Sequence, residues 1–192
     1  MALRSEESHQ AVLKTTMSLL DPDQGTGLSV QKLSIERIAR DSGVSKTTIY
    51  RWWPNKVAVV IDSFLANHIA RTPVRDDLPA MESLREHMAS LAAIYASNEG
   101  RLIAQLIAEC QHDPAAMQEF KERFWLKRQV AATSIIHRSQ EEGSIRADLA
   151  AENVAELLYA PIYFRLLLQA GALDQDWTDK LLNVALDGIR AS

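Results

Sequence analysis

A single cysteine, Cys110, stands in 192 residues. No disulfide can form within the chain, and a reducing cytoplasm is its simplest home. Long apolar runs are also missing. The most apolar stretch, residues 154–168, is interrupted by Glu156, Pro161 and Arg165, and it falls short of the roughly 20 apolar residues that span a bilayer. The first ten residues, MALRSEESHQ, hold no apolar core of a secretory signal; these absences predict a chain free of the membrane. The five histidines (His9, His68, His87, His112 and His137) include no pair at metal-ligand spacing. Cys110 and His112, two residues apart, point to different sides of a helix and make a poor nucleophile–base pair. Neither a glycine-rich phosphate loop nor a catalytic serine, histidine and aspartate set stands out. The reading is therefore of a protein that is not an enzyme and needs no metal or cofactor.

What is present is helical period. Apolar residues recur at helix spacing nearly everywhere, and glycine and proline punctuate them. The pattern predicts an all-α chain of about nine helices: residues 6–21, 34–41, 45–52, 55–71, 80–97, 99–111, 114–142, 151–170 and 177–190. Ser34 and Ser45 are good caps for the second and third, and Asp113 followed by Pro114 opens the seventh. Gly143 and Gly171 stand where helix-ending glycines belong. Pro161 inside the eighth helix predicts a kink there. Arg165, four residues on, either finds a buried partner or reaches solvent at a helix rim. The loop holding Pro73 and Pro79 suggests a boundary. The expected organisation is a first part over 1–56, a connecting helix and loop over 57–78, and a second helical part over 79–192.

Charge marks the first of these regions. The net charge is −4, yet Lys32, Arg37, Arg40, Lys46, Arg51 and Lys56 face only Glu36 and Asp41 between residues 32 and 56. A basic module on an acidic body suits a head that reads DNA. The same stretch meets the steric needs of a helix-turn-helix. Ala39 is small where two helices cross, Gly43 can take the positive φ of a sharp turn, and Ile35, Ile38, Val44 and Ile49 supply a shared core. Ser45, Lys46, Thr47, Thr48 and Arg51 then project from the second helix of the pair toward a major groove. Hydroxyls suit phosphate oxygens, and a long arginine reaches guanine.

The run IARDSGVSKTTIYRWWPNK closely resembles the TetR family of transcriptional regulators, through Ile38-Ala39, Gly43-Val44-Ser45, Ile49-Tyr50, Trp53 and Lys56. RLIAQLIAECQHDPAAMQEFKERF and LLYAPIYFRLLL look like segments of one subgroup of its C-terminal domains. The resemblance implies that Tyr50 and Lys56 contact DNA phosphates and that Trp53 packs inward toward the fourth helix. Trp52 then lies near the phosphate backbone or against that helix. Together with Ser34, these residues complete the DNA-facing set. The resemblance further implies a homodimer, and repression of a palindromic operator relieved when a small-molecule effector shifts the fourth helix. Read purely structurally, Tyr50 would cover the helix pair and Lys56 would be an ordinary surface lysine.

For the effector, Tyr95, Gln105, Cys110, Trp125, Tyr159 and Tyr163 combine aromatic walls with polar handles. His87 and Cys110 either line such a cavity or are a satisfied interior histidine and an inert thiol. For the dimer, the last two helices carry more apolar surface than one core needs, which nominates Leu157, Leu158, Leu166, Leu181, Leu182, Ala185 and Ile189. The rival reading is a helical adaptor that keeps a helix-turn-helix shape without reading DNA.

Overall fold

Ser34 and Ser45 begin their helices as the sequence suggests. The Ser34 hydroxyl accepts from the Arg37 N–H at 3.2 Å, and the Ser45 hydroxyl accepts from the Thr48 N–H at 3.2 Å. Each bond satisfies a donor that the first helical turn leaves open and contributes about 1 kcal/mol. Between them Gly43 takes φ 70°. A Cβ there would meet no atom within 4 Å. The demand for glycine is therefore conformational, not one of space.

The computed structural model describes residues 2–23, 25–68 and 72–189, and all regular structure among them is helical. In chain order the helices are α1 (Ala2–Leu20), α2 (Ile35–Ser42), α3 (Lys46–Trp52), α4 (Lys56–His68), α5 (Ala80–Tyr95), α6 (Asn98–Cys110), α7 (Pro114–Phe120), α8 (Leu126–Glu141), α9 (Ala151–Leu168) and α10 (Gln175–Ile189). Every helix expected from the sequence is present. The long segment expected over 114–142 is divided by a π-helical turn at Lys121–Trp125. The expected last residues of α4 and α10, Arg71 and Arg190, lie outside the described residues. Among the described residues no helix is long and apolar enough to cross a membrane.

Contacts divide the chain into two units, residues 1–69 with 102–125 and residues 70–101 with 126–192. The division in space thus differs from one in sequence order, because residues 102–125 join the helix-turn-helix end and α4 belongs there too. In the first unit α1 packs on α4 and α2, α2 on α3, and α4 on α7 and the π turn. Ile38, Ile49, Trp53, Ile61, Phe64 and Phe124 are fully buried. Burying each such side chain is worth roughly 1.5–3 kcal/mol against leaving it in water.

The second unit is a bundle of α5, α8, α9 and α10, in which α5 touches the other three. Leu84, Met88, Ile135, Leu158, Ile162 and Leu182 make its core. Polar latches close its ends. Arg85 pairs with Asp179 at 2.6 Å, and the Ala80 N–H donates to the Glu142 carboxylate at 2.9 Å. Helix α9 continues through Pro161, and Gln169 rather than Gly171 takes the left-handed conformation at its end. Arg165 reaches outward: its guanidinium donates to the Ala172 carbonyl and lies 4.1 Å from the Trp177 ring centre.

Candidate nucleic-acid interface

Helix α3 turns Ile49 inward and its polar residues outward. Ile49 is fully buried, while Ser45, Lys46, Thr47, Tyr50 and Arg51 are exposed and Thr48 and Trp52 are half-buried. Tyr50, at 51 % exposure, does not act as a lid on the helix pair. The adjacent tryptophans part as helix geometry requires. Trp53 is buried and its indole N–H donates to Asp62 of α4 at 2.8 Å. His9 of α1 stacks on its ring at 4.6 Å. Trp52 meets Trp53 edge-on and carries the Arg51 guanidinium 5.5 Å from its ring centre. Recognition-side residues therefore stand on a rigid aromatic base.

Pairing settles which charges are free. Asp41 holds both Arg37 (2.6 Å) and Arg40 (2.9 Å), and the two guanidiniums keep its carboxyl below the usual range. Glu36 is lowered by its backbone hydrogen bond and by Lys46, 3.0 Å away. The Lys56 ammonium sits 2.7 Å from Glu109 and donates to the Gln31 carbonyl at 3.1 Å. Lys32 and Arg51 have no carboxylate partner among the described residues. Ser34 is committed to capping α2, and Ser45 to capping α3 and to the Thr48 hydroxyl at 2.9 Å. Of the nine sequence-nominated residues, then, Thr47, Tyr50 and Arg51 are exposed with neither a capping role nor a carboxylate partner among the described residues. Lys46 and Lys56 are held in ion pairs.

The six effector candidates divide between the two units. Gln105, Cys110 and Trp125 belong to the first unit. The Gln105 side chain accepts from the Val30 N–H at 2.9 Å, tying α6 to the chain ahead of α2. Cys110 is buried, and burial pushes its thiol up to about 11, so it is no nucleophile at neutral pH. Trp125 ends the π turn.

Tyr95, Tyr159 and Tyr163 belong to the second unit and do come together there. The Tyr95 hydroxyl donates to that of Tyr163 at 3.0 Å, and the Tyr159 hydroxyl lies 2.6 Å from His87 Nδ1. Sequence reasoning missed Arg128, whose Nη1 donates to Thr72 at 2.6 Å. A signal existed: Arg128 precedes the buried Ala132, Ile135 and Ser139 by four, seven and eleven residues, which puts a cation in register with the apolar face of α8.

The dimer candidates divide as well. Leu158, Leu166, Leu182 and Ile189 are buried in the protomer's own core and offer nothing to a second chain. Leu157 is exposed, and Leu181 and Ala185 are half-exposed.

Comparison with known proteins agrees with this architecture. Residues 74–185 match the model of a tetracyclin repressor-like C-terminal domain. The chain is 32 % identical over 189 residues to YdeS of Bacillus subtilis (strain 168), an uncharacterised HTH-type transcriptional regulator, covering 98 % of this chain and 93 % of that one. It superposes on the TetR family transcription regulator SCO0332 with a TM-score of 0.76 at 27 % identity, covering 95 % and 98 % of the two chains. The FadR repressor of Thermus thermophilus, solved in complex with lauroyl-CoA, gives a TM-score of 0.72 at 23 % identity, with 94 % of each chain covered. A helix-turn-helix on an aromatic base, a C-terminal domain of this type and a full-length regulator relative lead to one conclusion: the chain belongs to the TetR family of transcriptional regulators.

Proposed function

We propose that the protein is a homodimeric repressor that leaves a palindromic operator when a small molecule binds its C-terminal region. Residues 1–56 form the DNA-reading head in this proposal, residues 57–78 the connection, and residues 79–192 the effector and dimer domain. The observation that carries it is the outward row of Thr47, Tyr50 and Arg51 on α3, backed by buried Ile49 and Trp53. Arg51 is placed to read bases, while Tyr50 and Lys56 hold phosphates. One such short helix covers few base pairs. A two-fold pair of heads reads successive major grooves about 34–36 Å apart.

Two apolar stripes support the two-fold partner. On α9, Leu157, Pro161, Phe164 and Leu168 follow helix spacing along one face, with Leu157 at 53 %, Phe164 at 57 % and Leu168 at 64 % exposure. On α10, Trp177, Leu181, Val184 and Gly188 do the same, and Val184 is 74 % exposed. The two helices pack side by side. Two copies of this pair make a four-helix interface that covers the exposed leucines. A Leu157→Glu, Phe164→Glu double variant should sediment as a monomer at micromolar concentration where the natural chain is dimeric.

FadR is a repressor whose structure contains a small molecule, lauroyl-CoA, and that supports reading this chain as effector-responsive. Selection of bound sequences from random duplex DNA, at two salt concentrations, tests the proposal. Enrichment of a palindrome with half-sites about one helical turn apart is expected. Weak, salt-insensitive binding with no enrichment would overturn it and favour an adaptor role.

A further inference from the structure

The core of the second unit contains polar groups that its own residues leave unsatisfied. His87 is 2 % exposed, and its Nε2 has no hydrogen-bond partner. Arg128 Nη2 is likewise buried without a partner. Among the described residues Arg128 is paired with no carboxylate and has one hydrogen bond, to the Thr72 hydroxyl. Arg128 itself is half-buried, but its enclosed Nη2 donor meets no acceptor, and leaving such a donor unmet is costly. The two orphans share one neighbourhood: the Arg128 charge acts on His87 and on all three tyrosines, Tyr95, Tyr159 and Tyr163. Helices α5, α8 and α9, which supply these residues, all touch one another.

We propose that the second unit binds a small organic acid among α5, α8 and α9, its carboxylate received by the Arg128 guanidinium and the His87 Nε2–H. The inference rests on the effector-responsive reading above and names the ligand class of that domain. Its chemistry follows from proton positions. The Tyr159 hydroxyl lies 2.6 Å from His87 Nδ1; in the tautomer proposed for the site the hydroxyl donates to Nδ1 and the ring proton is on Nε2. Burial, together with the Arg128 charge, lowers the imidazole to about 4. The site therefore presents one cation and one neutral donor at neutral pH. A carboxylate is acceptor-only, carries a single charge and takes both bonds. A phosphate dianion brings more charge than this pair neutralises. An amide or ester leaves the guanidinium without its counter-ion. The rest of the ligand is apolar, because the neighbouring positions on the same helices are Leu84, Met88, Leu91, Ile135, Ile136 and Ile162, all buried.

The test is calorimetric titration of the full chain without DNA. The probes are the straight-chain acids from acetate to palmitate, plus benzoate, phenylacetate and indole-3-acetate, each against its primary amide. At least one acid should bind about 10- to 100-fold more tightly than its amide. Arg128→Gln should erase that difference, with thermal melting showing that the variant folds. His87→Phe, which cannot donate, should weaken the acid and leave the amide unchanged. Acids and amides that bind alike, or no acid binding at all, would overturn the inference, as would an acid preference that survives Arg128→Gln. Adding the preferred acid to the protein–operator complex separates the two proposals. Arg128-dependent binding that leaves operator affinity unaltered upholds the site and sinks ligand-released repression.

Discussion

His87 ties the stability of the second unit to pH with a sign and a size that can be worked out. An ordinary imidazole titrates near 6.5. Burial, then the Arg128 charge, lowers His87 to about 4. Between those values the unfolded chain holds a proton that the folded chain does not, so stability falls as pH falls. The full stability is present above the unfolded value and is lost progressively down to the folded one. From near pH 7.5 to near pH 5 the loss is about 2 kcal/mol, rising to about 3 kcal/mol below pH 4. For a chain of this size 2 kcal/mol corresponds to roughly 4–8 °C in Tm. Asp77, beside Arg75, titrates at about 2 and lies below this window. Thermal melts of the natural chain and of His87→Gln at the two pH values isolate the effect, because the amide keeps a polar group facing Tyr159 but does not titrate. The natural chain should lose about 4–8 °C more than the variant on acidification. Equal losses would refute the idea that a neutral imidazole is enforced there.

Removing Lys56 should weaken binding to all DNA and flatten the log–log salt dependence by about 0.9 per subunit, whereas Arg51→Ala should change which sequences are selected; competition binding on operator and random duplexes at several salt concentrations separates them. Glu109→Gln releases Lys56 from its 2.7 Å pair. It should tighten DNA binding about 2- to 5-fold per subunit by the same assay, and unchanged affinity would mean that the pair does not compete with phosphate. Phe124 is fully buried between Phe64 and Phe120, with ring centres at 6.0 and 5.1 Å. Phe124→Ala should cost about 3–5 kcal/mol in denaturant unfolding, and a loss below 1 kcal/mol would show that the site collapses around the change.

Local chemistry made the head legible in the sequence. Ser34, Gly43 and Ser45 act through bonds and dihedrals within a few residues of themselves, so their roles follow from residue type and spacing. The π turn at Lys121–Trp125 carries no glycine or proline, and composition does not distinguish it from the helices around it. Gln105 bonds to the backbone of Val30, seventy-five residues away; no periodicity announces such a partner. The dimer candidates divide between core and surface for a related reason. Helix α9 is apolar on nearly every side, so its sequence says that much is buried but not which face the protomer keeps. The protomer keeps Leu158, Ile162 and Leu166, leaving Leu157, Phe164 and Leu168 outside.

Charge in the head shows most clearly how a correct count differs from a correct placement. Six cations against two acids predict an attractive field, and the net value stands. Yet Arg37 and Arg40 share Asp41, Lys46 faces Glu36, and Lys56 is held by Glu109, which lies far along the chain. In the proposed complex, DNA displaces carboxylates to use most of these cations. Exposed pairs of this kind are worth only about 0–1 kcal/mol each, so under the proposed function the Lys46–Glu36 pair is a weak competitor to a DNA phosphate. Lys56 differs, because it is half-buried and also bonded to the Gln31 carbonyl. Its release requires Glu109 on α6 to give it up, so under the proposed function that one pair is where the position of α6 would bear on the DNA affinity of the head.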